Sequence, residues 1–162
     1  MFDPALIERA VALLAKCRER GLKLATAESC TGGLVAGLLT EIPGSSAVVE
    51  RGFVVYSNLA KQEMLGVPEA TIVRWGAVSA ATARAMVEGA LAHSAADFAV
   101  AVTGIAGPGG GTAEKPVGTV FIALASAAGV EVKVFLNAWD RATFKQVTAT
   151  QALEWLRRAV SA

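Results

Sequence analysis

The run DFAVAVTG (97–104) is apolar at every position from Phe98 to Val102, so a strand formed there has two faces to cover. Such a strand belongs inside a sheet with a layer above it and a layer below it. The rest of the chain supplies those layers. Asp3 caps a first helix, Pro4 takes its opening position, and Ile7, Val11 and Leu14 recur at helical spacing until Gly21 offers a left-handed stop. LKLAT (22–26) reads as a short buried strand, and GGLVAGLLTEI (32–42) as a helix with Leu34, Val35, Leu38, Leu39 and Ile42 on its core face. AVVERGFVVY (47–56) is a strand with a polar interruption at Glu50-Arg51-Gly52, the mark of a bulge. A short helix is predicted over 58–65 and a longer one over 78–92, with Ser79 as its cap. VGTVFIALAS (117–126) and VEVKVFLNA (130–138) read as a hairpin around Ala127-Ala128-Gly129. The last helix, 140–160, starts at Asp140 and carries Phe144, Trp155 and Ala159 along one face.

Helices interleave first with isolated strands and then with a hairpin. The prediction is a mixed sheet with helices on both faces, an α/β three-layer sandwich. Ligands in such folds bind beyond the carboxyl ends of strands. Residues 26–33, 56–61 and 103–112 fall there.

The chain has 162 residues, which predicts a single domain over 1–162. A chain of that length buries roughly 70% of the surface its unfolded form exposes and needs no covalent staple. Acidic and basic residues nearly balance at a net charge of +1, and no Lys/Arg run tracks a phosphate backbone, so a nucleic-acid partner is not expected. Cys17 and Cys30 form no CxxC, and one histidine is too few for a transition-metal site. No apolar stretch reaches the length of a membrane span, and the N-terminus is not a signal peptide. The expectation is a cytoplasmic, disulfide-free protein with no membrane partner.

TAESCTGG (26–33) places Ser29 and Cys30 between a strand and a helix. Free amides at a helix start can hold an oxyanion or a phosphate. The plain alternative is that Ser29 or Thr31 only caps the helix. Cys30 is the rival nucleophile, because a helix N-terminus depresses a thiol pKa. Two neighbours near helical geometry point about 100° apart, so one faces the site and the other the interior. Cys17 reads as a helix core residue.

A serine hydroxyl needs a base. His93, near the end of a helix, suits helix-end packing better than catalysis. YSNLAK puts Tyr56 at a strand end and Lys61 on the following helix. A buried lysine is neutral enough to take a proton, and a tyrosine between it and the serine can relay one. Equally, Tyr56 can be a core-edge aromatic and Lys61 a solvated helix residue. The pair is not that of a short-chain dehydrogenase: four residues separate Tyr56 from Lys61, and no G-x-G-x-x-G follows the first strand. The loop GIAGPGGGTAEKP (104–116) lacks the GK[ST] of a P-loop. Its glycines offer exposed amides to a small phosphorylated ligand, or simply make a mobile surface loop.

Taken together, AESCTGG, PGSSAVVERGFVVYSNLAKQEMLGV, GAVSAATARAMVEGAL, VTGIAGPGGGTAEKPVGTVFIALA and the DR before the last helix resemble the CinA C-terminal domain family of nicotinamide-nucleotide amidases. The blocks run in family order over nearly the whole chain. The resemblance implies an anticodon-binding-like α/β/α sandwich with a mixed five-stranded sheet. It also implies hydrolysis of nicotinamide mononucleotide to nicotinic acid mononucleotide and ammonia, without metal or cofactor. It carries the family's serine, tyrosine and lysine onto Ser29, Tyr56 and Lys61. On the same reading, Thr103 and the glycine loop (Gly104, Gly107, Gly109, Gly110) hold the nucleotide and Arg141 its phosphate. Thr31, Gly32 and Gly33 line the pocket. Members are often homodimers. The chain departs from the family pattern at AWDR, where a glycine commonly precedes the Asp-Arg pair. The larger N-terminal domain linked to pyrophosphate hydrolysis is not matched, so that activity is not carried over. The alternative from another class is a non-catalytic module that keeps the pocket to bind a nucleotide or a partner.

Overall fold

The computed structural model describes residues 1–162. Its elements in chain order are α1 (Pro4–Arg20), β1 (Leu24–Glu28), α2 (Leu34–Thr40), a single 3-10 turn (Ser45–Ala47), β2 (Val49–Val54), α3 (Asn58–Leu65), α4 (Glu69–Trp75), α5 (Ala80–Ala92), β3 (Phe98–Gly104), β4 (Thr119–Ser126), β5 (Gly129–Leu136) and α6 (Arg141–Ser161). The five strands form one mixed sheet in the order β2-β1-β3-β4-β5. The first three are parallel, β4 runs antiparallel to β3, and β5 returns antiparallel to β4. The carboxyl ends of β1, β2 and β3 therefore share one end of the sheet.

The period-two alternation of the strands divides the core in two. Leu24, Val100, Val102, Val120, Ile122 and Leu124 face α1, α2 and α6. The opposite face is almost all alanine: Ala25, Ala27, Ala99, Ala101, Ala123 and Ala125 lie under α5. Alanine leaves no bulk above the sheet, so α5 settles close to it. Gly89 continues the close approach on the other side of α5, since a Cβ there would run into the Leu65 carbonyl at the end of α3.

Local chemistry explains most boundaries. Asp3 accepts from the Ala5 amide at 2.8 Å and Gly21 closes α1 in the left-handed region at φ 65°. Ser79 accepts from Thr82 and Asp140 from Thr143, both at 3.1 Å, starting α5 and α6. The bulge in β2 falls at Glu50, because Leu24 pairs Val49 while Ala25 pairs Arg51. Two details differ from expectation. Val11 is exposed; α1 turns Leu6, Ala10, Leu13, Leu14 and Cys17 inward, since small Ala10 and Cys17 let it lie close to its neighbours. Helix α4 has no counterpart in the predicted elements. It is short, has no side-chain cap and buries only Ile72, so its periodicity is too weak to read. No helix is long and apolar enough to cross a membrane.

Candidate active site

At the carboxyl end of the sheet, a cleft of about 300 Å³ opens between the turn after β1, the segment after β2 and the loop after β3. Ser29, Tyr56, Lys61, Thr103, Gly104, Gly107, Gly109, Gly110 and Arg141 all line it. Three segments that are distant in sequence are brought together because parallel neighbours end side by side.

Ser29 follows Ala25 and Ala27 in the β1 alternation and so emerges on the α5 side. Its amide still donates to the Val102 carbonyl at 3.0 Å, so Ser29 sits at the hydrogen-bonded end of the ladder. Lys61 is in the first turn of α3. Helix side chains lean towards the N-terminus. Its amine therefore reaches back to the segment that precedes its own helix. Lys61 Nζ lies 3.1 Å from Ser29 Oγ and 3.1 Å from the Val55 carbonyl, with the Tyr56 and Ser57 carbonyls at 3.4 and 3.5 Å. The side chain is 1% exposed and belongs to no ion pair. Burial without a carboxylate beside it pulls the amine below its ordinary value of 10.5. A neutral amine has two N–H donors for the carbonyls and one lone pair for the Ser29 hydroxyl.

Tyr56 is not between them. Its ring is 59% exposed, and its hydroxyl accepts from Arg141 Nη2 at 2.7 Å; what it gives Lys61 is its backbone carbonyl. The relay expected of its phenol is not the geometry found, because Lys61 already reaches Ser29 directly. Arg141 spends its other terminal nitrogen on the Gly107 carbonyl at 2.8 Å. It thereby ties the start of α6 to the glycine loop and to Tyr56 across the mouth of the cleft.

The loop is folded on itself and tied to its surroundings by hydrogen bonds. Its Thr112 amide donates to the Lys115 carbonyl at 2.8 Å, and Lys115 Nζ donates to the Trp75 carbonyl at 2.9 Å. A Cβ at Gly107 would strike Val117, and Gly107 and Gly110 both take positive φ, so these two positions require glycine. Thr103 donates its hydroxyl to the Ala77 carbonyl at 2.7 Å, pinning the end of β3 to the lead-in of α5.

Cys30 points into the α2–α6 core, and burial pushes its thiol up to about 12. The expected helix-terminus activation fails, because desolvation outweighs it. Cys17 is likewise buried, pushed up to about 11. His93 closes α5, its Nδ1 2.8 Å from the Gly89 carbonyl, and takes no part in the cleft.

Thr31, Gly32 and Gly33 lie elsewhere than expected. They line a separate depression with Phe2, Thr40 and Lys145 on the α2 side of the turn. Neither Ser29 nor Thr31 caps α2; the cap position is Gly33, with no side-chain bond. The capping oxygen comes from a residue missed in the sequence. Glu28, 1% exposed, accepts from the Val35 amide at 2.8 Å, the Ala36 amide at 3.0 Å and the Thr31 hydroxyl at 2.7 Å. The signal was present: Leu24, Thr26 and Glu28 alternate onto a covered face, and a buried carboxyl group must find donors. With the Val35 and Ala36 amides taken by Glu28, the Cys30, Thr31 and Gly33 amides of the turn are bonded to no backbone carbonyl, and of these three residues only Cys30 lines the cleft. The Gly32 amide is spent on the Ser29 carbonyl at 3.0 Å.

Comparison with known proteins agrees with this architecture. The CinA C-terminal domain model matches residues 7–160. A "CinA-like protein" of Geobacter sulfurreducens is 55% identical over 94% of the chain, which covers 36% of that relative. A "putative competence-damage inducible protein" of Caldicellulosiruptor bescii is 49% identical over 98% of the chain and 38% of its own length. The chain thus spans little more than a third of these relatives. Among solved structures, the competence/damage inducible protein CihA from Agrobacterium tumefaciens superposes with a TM-score of 0.96 at 50% identity, covering 100% of this chain and 99% of that one. The competence damage-inducible protein A (ComA) of Klebsiella pneumoniae gives 0.92 at 35% identity, covering 96% and 97%.

Proposed function

The chain belongs to the CinA C-terminal domain family, and from that premise we propose that it is a serine amidase acting on the carboxamide of nicotinamide mononucleotide. The observation that carries the amidase reading is the buried amine of Lys61, 3.1 Å from Ser29 Oγ with no carboxylate partner. The substrate follows from the family resemblance, to which the cleft adds one arginine and a glycine-rich wall.

In the proposed reaction, Lys61 takes the Ser29 proton as Oγ attacks the amide carbon. The open amide of Cys30, which lines the cleft, receives the oxyanion; one such donor is worth about 3 kcal/mol of transition-state stabilisation in comparable enzymes. Lys61 returns the proton to the departing nitrogen, which leaves as ammonia. Water, deprotonated by the same amine, then adds to the acyl carbon; the C–Oγ bond breaks, the acid is released and Lys61 returns the proton to Ser29 Oγ. Arg141 turns from Gly107 or Tyr56 to the substrate phosphate, and Thr103 with the loop glycines flanks the nucleotide.

The test is ammonia release from nicotinamide mononucleotide by the wild type, Ser29→Ala and Cys30→Ala. Release that Ser29→Ala abolishes and Cys30→Ala retains supports the serine amidase. Nucleotide binding without release by the folded wild type supports a binding module instead.

A further inference from the structure

Only two acidic or basic side chains in the protein are fully buried, and both adjoin Ser29, one in sequence and one in space. Lys61 is one; Glu28, the residue before Ser29, is the other. Glu28 does not reach the cleft. Its side chain passes to the opposite face of the sheet, where three donors converge on it: the Val35 and Ala36 amides and the Thr31 hydroxyl. All three lie just beyond the turn that carries Ser29 or within it. One carboxyl group thus closes the 29–33 turn onto the start of α2.

The Glu28 backbone serves the other half of the pair. Its carbonyl accepts from the Val55 amide at 2.9 Å, which fixes the chain leaving β2. That chain supplies the Val55, Tyr56 and Ser57 carbonyls that surround Lys61 Nζ. Glu28 therefore holds the nucleophile's turn by its side chain and the base's cradle by its main chain.

We propose that Glu28 is a positioning residue for Ser29: its carboxyl group sets the turn that aims Oγ and the Cys30 amide into the cleft. This inference rests on the reading of Ser29 as the nucleophile. A residue that only stabilised the fold would leave the folded enzyme's Ser29 as reactive as before. Glu28→Gln keeps the shape but turns one acceptor oxygen into a donor facing a donor, so the turn loses its closure.

The experiment measures the rate at which a small fluorophosphonate labels Ser29, located by peptide mass, in wild type, Glu28→Gln and Thr31→Val. Folding is verified by circular dichroism, and kcat and KM for nicotinamide mononucleotide are read in parallel. The expected result is labelling slowed at least tenfold in folded Glu28→Gln and two- to fivefold in Thr31→Val, which deletes one donor of three. A matching fall in kcat with KM within threefold is expected where turnover is seen. If Glu28→Gln does not fold, Thr31→Val decides alone. Wild-type labelling rates in the folded variants overturn the inference and leave the proposed function standing. A labelled wild type that does not turn over the nucleotide overturns the substrate assignment, while the labelling ratio still decides Glu28. A wild type that is not labelled at Ser29 overturns both.

Discussion

Lys61 shows how its surroundings change the chemistry of one side chain. An exposed lysine is a hydrated cation and a poor base near neutral pH. Here burial lowers its pKa, so the neutral form that can accept the Ser29 proton exists at lower pH. The expected pH profile of kcat/KM rises through a single lysine limb with its midpoint below 10.5. A limb at or above that value counts against the assignment. The same shift has a stability consequence. Between the depressed folded value and 10.5 the unfolded chain holds the extra proton, so stability rises with pH across that window. Below the folded value the buried ammonium is a standing cost. Lys61→Met should therefore abolish turnover yet lose this rise. Its melting temperature relative to wild type should be highest at the acid side and decline as pH increases, as a pH series of thermal melts would show. Cys30 is the complementary case: its thiol, pushed up to about 12, remains protonated, so Cys30→Ala should leave turnover within about threefold of wild type.

At the scale of elements, the site depends on how closely α5 and α3 meet. Gly89 of α5 lies against the Leu65 carbonyl, the last residue of the helix that bears Lys61. Gly89→Ala drives a methyl into backbone that has no rotamer to change. The expected cost is on the order of 1–3 kcal/mol, read as a lowered midpoint of urea unfolding. Because α3 must shift, kcat should fall as well, although residue 89 is not in the cleft. Unchanged stability and rate in this variant would show that α3 and α5 are free to move apart. The capped helices were legible because their signals are local: Asp3, Ser79 and Asp140 each bond an amide within three residues. Helix α4 was not, since only Ile72 is buried and nothing caps it. The α2 cap escaped notice for another reason. Its oxygen comes from the preceding strand, seven residues before the first amide it meets.

For the molecule as a whole, the two faces of the sheet have unequal bulk. Branched residues fill the α1–α2–α6 side, and alanines line the α5 side. The alanine face leaves no slack, so Ala101→Leu should destabilise by on the order of 1–3 kcal/mol through overpacking. Val102→Leu, its neighbour on the deeper face, alters volume less and should cost less. Urea unfolding of the two variants measures the difference, and equal costs would count against the close approach of α5.

The sequence by itself determined the layers and the order of the motif blocks along the chain, and through the family resemblance it named Ser29 and Lys61 as candidates. Periodicity, caps and motif blocks are properties of neighbouring residues, and they survive in one dimension. Only the tertiary structure decided that Lys61 touches Ser29 without Tyr56 between them. It also decided that Thr31, Gly32 and Gly33 turn away from the cleft, and that Glu28 closes the turn that carries Ser29. Each of these depends on which strand ends lie side by side and on which face a side chain emerges. Burial, which sets the protonation of Lys61 and Cys30, is a property of the packed whole.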